Sequence, residues 1–372
     1  MKPSVVYWTN IPAPYMIDRF NAIASRGVVE FEAWFSARTY HHRSWTVDEA
    51  GWSFPFTYLP RISIGSRAVA LPLQLFEKDV PEVLVGLHAE PTFFMSQELA
   101  RRRGVRTIIW LTVTFDSWVR RRRWKEVVKR TMFPRVDAVF TTGGDGAAVA
   151  RQYGVQNERI HFLPHNIDSQ RLAASFRRLA PERPSVRREL GIVGMTFVYA
   201  GRLLKGKGLD YLLDAFAGVA RRLPTETTLV LAGNGADEAR LRRRCQEDEL
   251  NVVFAGFREG DDLTRIYAAA DVFVFPTLGD AFGHVVEEAM ACRLPVISTS
   301  AAGEIRARVE DGREGFIIPP ADSQTLQERM ETLATNEDLR IAMGREGERR
   351  VAGYTADNWA RAFEDAIRAV RE

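Results

Sequence analysis

MTFVYAGRLLKGKGLDYLLDAF, residues 195–216, holds three patterns in succession. A β-branched and aromatic run reads as a strand ending at Ala200, a glycine-rich loop carries Arg202 and Lys207, and a helical pattern follows. Gly201, Gly206 and Gly208 let such a loop turn tightly and let a ligand approach its backbone. Two cations at the mouth of a strand suit a diphosphate, Arg by paired hydrogen bonds and Lys as a point charge. A solvated basic loop is the other reading of the same residues. The spacing is not that of the phosphate loop G-x-x-x-x-G-K-[ST].

The alternation continues outward from this stretch. Further strands are expected at TTLVLAG (227–233), NVVFAG (251–256), DVFVFP (271–276), PVIST (295–299) and GFIIP (315–319). In the first half they are expected at SVVYW (4–8), VEFEAWF (29–35), EVLVG (82–86), RTIIWL (106–111), DAVFTT (137–142) and RIHFL (159–163). Helical patterns such as MIDRFNAIASRG, TFFMSQELARRRG and GAAVARQYG lie between them. The second-half strands are almost wholly apolar, as in parallel strands buried on both faces. Strand–helix alternation of this kind makes doubly wound parallel sheets. The expected division is a first domain over 1–172, a polar, Pro-containing linker over 173–193, a second domain over 194–355, and a final helix, 356–372, returning toward the first. Ligands of such sheets bind beyond the carboxyl ends of the strands.

Length and composition agree with this. A chain of 372 residues is long for one core, and 46% hydrophobic with 27% charged residues is ordinary globular composition. No apolar run is long enough to cross a membrane, and the opening MKPSVVYWTNIPAPY reads as a first strand rather than a signal peptide. Two cysteines, Cys245 and Cys292, exclude a disulfide framework or a cysteine-built metal site and fit a reducing cytosol.

Two further segments bear on chemistry. LVLAGNGADEARL (229–241) has Gly233 and Gly235, but Glu238 stands where a dinucleotide fingerprint needs its third glycine, so a helix-capping turn is expected. GDAFGHVVEEAMACRLPV (279–296) gathers Asp280, His284, Glu287 and Glu288. It reads as a loop running into a helix, and Gly283 with the first helical amides suits phosphate. His284 and Glu288 are spaced i,i+4 on one helical face, and Glu287 lies off that face. With one nearby His and no second ligand cluster, no metal site is expected.

GRLLKGKG and DAFGHVVEEAMA together resemble the retaining GT-B glycosyltransferases of glycosyltransferase family 4, with G-R-L-x-x-x-K-G and then E-x7-E before A-M-A. The likeness is specific over about 195–320, including IYAAADVFVFPT, LPVISTS and VEDGREGFIIPPAD, with RIHFLPHNID (159–168) added before the linker. It implies a GT-B fold, two Rossmann-like domains with parallel sheets facing across a cleft. It also implies sugar transfer from a nucleoside-diphosphate sugar, a UDP- or GDP-sugar, as co-substrate, with retention; no D-x-D motif lies in a suitable loop, so no cofactor or metal is expected. Arg202 and Lys207 would neutralise the diphosphate, Glu288 would bind the ribose, and Asp280 would lie beside the sugar in place of the family's first Glu. The amides beside Gly201 and of Ala281, Phe282 and Gly283 would contact the donor. His284 would sit near the diphosphate, and Phe257 and Arg258 would border the base. Three departures stand out: Asp280 is one methylene shorter than Glu, Ala307 in AAGEIRARV stands at an expected Glu, and NIPAPYMIDRF replaces a glycine-rich loop. There Pro12 and Pro14 are expected to make a stiff turn, and the backbone over Ala13, Pro14 and Tyr15 would approach the diphosphate.

The acceptor side carries fewer signals. His88, Thr114 and Asp116 are the available cleft residues, against a His that many relatives carry elsewhere; a structural role is the other reading of His88. Residues 98–135 hold twelve Lys and Arg against three acids, a net of +9, with Trp118, Arg120, Arg121, Arg122, Arg123 and Trp124 at the centre. Basic residues with Trp suit an anionic membrane surface; a charged helix face is the other reading. No recognition motif accompanies the patch, so no nucleic-acid partner is expected. The expected activity is glycosyl transfer to a glycan or lipid-linked acceptor in cell-surface glycan or glycolipid synthesis, in the cytoplasm or on the membrane's cytoplasmic face. The alternatives are a nucleotide-sugar epimerase or hydrolase on the same fold, or a non-catalytic sugar-nucleotide-binding subunit.

Overall fold

A computed structural model describes residues 2–39, 47–64, 67–76, 79–87, 91–112, 123–164, 167–223 and 225–372. The chain divides into two compact units, Met1–Asn166 with Thr355–Glu372, and Ile167–Tyr354.

The first unit contains β1 (Ser4–Thr9), β2 (Glu30–Phe35), β3 (Phe56–Tyr58), β4 (Arg61–Ile64), β5 (Arg67–Ala70), β6 (Val83–Leu87), β7 (Arg106–Leu111), β8 (Ala138–Thr141) and β9 (Ile160–Phe162). Among the described residues its main sheet is parallel, in the order β3-β2-β1-β6-β7-β8-β9, and β4 and β5 form a separate antiparallel pair. The short β3, β4 and β5 add to the expected strands; three or four residues give too little periodicity to read. The core on one face is aromatic: Tyr7, Phe20, Phe31, Trp110 and Phe140 pack with Trp359 and Phe363 of the final helix, Ala356–Arg371. Arg26 pairs with Glu364, and Arg371 with Glu82. The last helix therefore belongs to the first unit.

The second unit contains β10 (Met195–Ala200), β11 (Thr227–Ala232), β12 (Val252–Gly256), β13 (Val272–Phe275), β14 (Val296–Thr299) and β15 (Gly315–Ile318). Their order, β12-β11-β10-β13-β14-β15, is parallel throughout and reverses direction of growth between β10 and β13. Connections after these two strands leave on opposite sides of the sheet, which opens a crevice at their carboxyl ends. The two motifs legible in the sequence come directly after those strands.

The expected linker, 173–193, is instead helical and part of the second unit, which begins at Ile167 rather than after 172. Its polar composition covers one face only; Ala173, Leu179, Val186 and Ile192 are buried on the other. Pro181 and Pro184 stand at helical first turns, where the absent N–H is no loss. Arg183 caps the carbonyls of Ala268 and Ala270 at 2.8 and 2.7 Å, and Arg187 that of Ala269 at 2.9 Å.

Candidate functional site

Loops after β10, β11, β13 and β14 are fastened together at the carboxyl edge of the second sheet. Gly201 N–H donates to Ala232 O at 2.9 Å, and Leu203 N–H to Asn234 O at 2.8 Å. A Cβ on Gly233 would stand 1.8 Å from Gly201 O, and one on Gly235 would stand 2.2 Å from Leu203 O. The partial G-x-G is thus the close contact between two loops. Gly208, at φ +69°, lies so near Pro276 that a Cβ would meet its carbonyl oxygen at 1.9 Å. Leu278 N–H donates to Gly206 O at 3.0 Å.

This stitching brings Lys207 onto Asp280. The Lys207 ammonium forms an ion pair with Asp280 Oδ2, and the two side chains are 12% and 21% exposed. Asp280 Oδ1 accepts the Phe282 N–H at 3.0 Å. Burial alone would raise the Asp280 carboxyl, but Lys207, the Phe282 N–H and Arg308 outweigh it and hold it below the usual carboxylate range. Its backbone is anchored too: Asp280 N–H donates to Ala301 O at 3.2 Å, and Gly303 N–H to Asp280 O at 3.0 Å. Arg202 is exposed and sits five residues before Lys207 in the same loop, its carbonyl taking the Tyr199 hydroxyl at 2.9 Å.

Sequence reasoning misses Arg308. It is 4% exposed, donates to the carbonyls of Phe282, Gly283 and Gly303, and lies 4.1 Å over the Phe282 ring. An arginine on an apparent helix defaults to solvent, and backbone acceptors leave no residue-type signal. Nearby Glu304 has φ +52°, a left-handed conformation disfavoured for a residue with a Cβ and frequent at functional loops.

Other expected positions fall as follows. His284 Nδ1 lies 3.3 Å from Glu287 Oε2, so the histidine's carboxylate neighbour is the buried Glu287 rather than Glu288. Glu288 Oε2 accepts the Tyr267 hydroxyl at 2.9 Å, leaving Oε1 for a further hydrogen bond. Burial pushes the Glu288 carboxyl up to about 7, against the Tyr267 hydrogen bond. The Phe282 amide, expected to reach a sugar, is taken by Asp280. Ala281 is exposed and Gly283 has φ +77°. Phe257 and Arg258, both half-buried or more open, come after the edge strand β12. In the first unit, Ala13 precedes the helix Pro14–Arg26, and its carbonyl accepts the N–H groups of Met16 and Ile17 at 2.8 and 3.1 Å. Pro14 occupies that helix's first turn and Tyr15 comes next, half-buried. His88, Thr114, Asp116, Trp118, Arg120, Arg121 and Arg122 lie outside the described residues, as do the side chains of Arg123 and Trp124. Among the described residues, no group of three or more His, Cys, Asp or Glu is placed to hold a metal, and no helix is long and apolar enough to cross a membrane.

Residues 185–350, within the second unit, match the family described as glycosyl transferases group 1. D-inositol 3-phosphate glycosyltransferase of Corynebacterium urealyticum is 29% identical over 62% of this chain and 56% of its own. Mannosylfructose-phosphate synthase of Agrobacterium fabrum is 31% identical over 50% of this chain and 42% of its own. The chain thus spans about half the length of these relatives. The Anabaena protein Alr3699/HepE, solved in complex with UDP and glucose, superposes with a TM-score of 0.77 at 16% identity over 98% of this chain and 99% of that one. Likeness at that identity establishes the fold, GT-B, as expected from the motifs.

Proposed function

We propose that the chain is a glycosyltransferase that moves a sugar from a nucleoside-diphosphate sugar to an acceptor hydroxyl, with retention at the anomeric carbon. The observation that carries this is the Lys207–Asp280 pair at the switch point of a group 1 domain. In the free protein each charge satisfies the other. An arriving diphosphate competes for Lys207, with Arg202 beside it, and releases Asp280 to accept hydrogen bonds from sugar hydroxyls. The two cations then stabilise the leaving diphosphate as negative charge develops on it. Glu288 Oε1 accepts from the ribose while Tyr267 holds Oε2. These roles use the protein's own cations, so activity is expected to persist in chelator.

The first unit supplies the acceptor site, for a glycan or lipid-linked acceptor. The basic stretch around Arg120–Arg123 brings it to an anionic membrane on the cytoplasmic side. Binding to anionic vesicles that weakens with salt supports that part, and binding indifferent to replacing the four arginines refutes it. The donor reading is tested by calorimetry with UDP, GDP and ADP on the native chain and on Lys207→Ala. One diphosphate is expected to bind the native chain and to lose most of its affinity in the variant; no binding of any of the three sinks the reading.

A further inference from the structure

Arg308 ends the short helix Ile305–Arg308 after β14. It is a buried guanidinium that forms no ion pair among the described residues, and its Nε has no acceptor there. Burial disfavours its charge, while the fields of Glu287 and Asp280 act the other way. A buried cation held by carbonyls alone is a poor device for stability, because an apolar side chain of similar volume fills such a space without the desolvation penalty. Its contacts point to a different use.

All of its acceptors belong to the site loops. Nη1 donates to Gly283 O at 3.2 Å, and Nη2 to Gly303 O at 2.9 Å and to Phe282 O. In a trans peptide the carbonyl and the following N–H point in opposite directions, and these peptides are trans. With the carbonyls of Phe282 and Gly283 drawn to the guanidinium, the N–H groups of Gly283 and His284 face away from it. The same holds for Glu304 N–H through the carbonyl of Gly303. Arg308 also spans the seam that fixes Asp280, because Gly303 N–H donates to Asp280 O. One side chain therefore holds the Asp280–Gly283 turn to the loop after β14. Where the family resemblance leads one to expect a glutamate, this chain has Ala307, and the residue next to it does the holding.

We propose that Arg308 is a positioning residue: through the carbonyls of Phe282, Gly283 and Gly303 it fixes the turn that carries Asp280 and aims the adjoining backbone N–H groups at the donor diphosphate. The target of those groups rests on the nucleotide-sugar reading; the fixing of the turn does not. The test uses the full chain with Arg308→Gln, and with Arg308→Lys, which keeps the charge but cannot reach three carbonyls. Amide hydrogen exchange is read without ligand, and affinity for UDP and GDP by calorimetry. In the Gln variant, exchange across 280–284 and 301–305 is expected to accelerate about tenfold, with β10 and β13 unchanged, and nucleotide affinity to fall about tenfold. The Lys variant should fall between. Unchanged exchange and affinity in both variants overturns the proposal. Loosening spread evenly over the second unit also overturns it, since that is the mark of a general packing role. If Arg308→Gln fails to fold, the Lys variant decides by the same two readouts. A native chain that binds neither nucleotide overturns the donor reading instead, and exchange alone then judges Arg308.

Discussion

The two units share a strand order around their first strands and differ in the loops that leave those strands. β1 and β10 each stand beside the point where the order reverses. After β1 comes Asn10-Ile11-Pro12-Ala13-Pro14, a loop fixed by Asn10: its Oδ1 accepts Ile11 N–H at 2.9 Å, and its carbonyl accepts the N–H of Ala37, beyond β2, at 2.8 Å. Between that strand and Arg19 the chain has no Lys or Arg. After β10, eight residues hold three glycines and the cations Arg202, Lys205 and Lys207. Topology provides a crevice in both units, but only the loop after β10 carries the cations that an anion would need. The strongest test of this difference is Lys207→Ala. Turnover of a nucleotide sugar is expected to fall by roughly 10²–10³, with far-ultraviolet circular dichroism unchanged. Asn10→Ala should fall by less than about tenfold. Comparable losses in the two variants would erase the asymmetry.

Two carboxylates repeat the contrast. Glu364 of the first unit, with its side chain 3% exposed, is answered by Arg26 at 2.9 Å. Glu288 of the second has the hydroxyl of Tyr267 in place of a cation. The first arrangement serves stability; the second leaves a carboxylate with no counter-charge among the described residues, open to a further hydrogen bond. Arg26→Ala strands Glu364 and should lower stability by about 3 kcal/mol in urea unfolding, with nucleotide affinity untouched. Glu288 makes the opposite prediction. Its carboxyl lies at about 7 when folded, against 4.5 ordinarily. Between those values the unfolded chain has released this proton and the folded chain has kept it, so stability falls as pH rises through that window. Glu288→Gln should remove the slope, a difference reaching at most about 3 kcal/mol above pH 7. Parallel stability–pH curves for variant and native chain would show that Glu288 titrates normally.

The same contrast decides how much of the molecule is legible in its sequence. The second-half strands announce themselves because a parallel strand buried on both faces has nearly no polar residue, as in β13, VFVF. Arg202, Lys207 and Asp280 are legible because loops after strands of that kind carry function and their spacing is stereotyped. Arg308 is not, since its partners are carbonyls of residues 282, 283 and 303. The Glu288–Tyr267 bond joins residues 21 apart, through a tyrosine that reads as core. Residues 173–193 read as linker because five arginines and two prolines are interspersed among the apolar residues that pack, such as Leu179 and Val186.

Asp280→Glu gives the finest comparison, because it leaves the charge and changes its reach by one methylene. The native carboxylate is held at three places: Lys207 on Oδ2, Phe282 N–H on Oδ1, and the backbone seam to Ala301 and Gly303. A longer side chain keeps the first by a rotamer change but gives up the bond to a residue only two positions away. On the proposed donor reading, in which Lys207 and Arg202 hold the nucleoside diphosphate, its affinity should therefore stay within about threefold. Preference among donor sugars should change by about tenfold, because a carboxylate advanced by one methylene meets a different hydroxyl. Competition between pairs of UDP- or GDP-sugars with both proteins measures this. If affinity collapses while preference stays fixed, Asp280 serves Lys207 rather than the sugar, and the contrast between the units reduces to their cations.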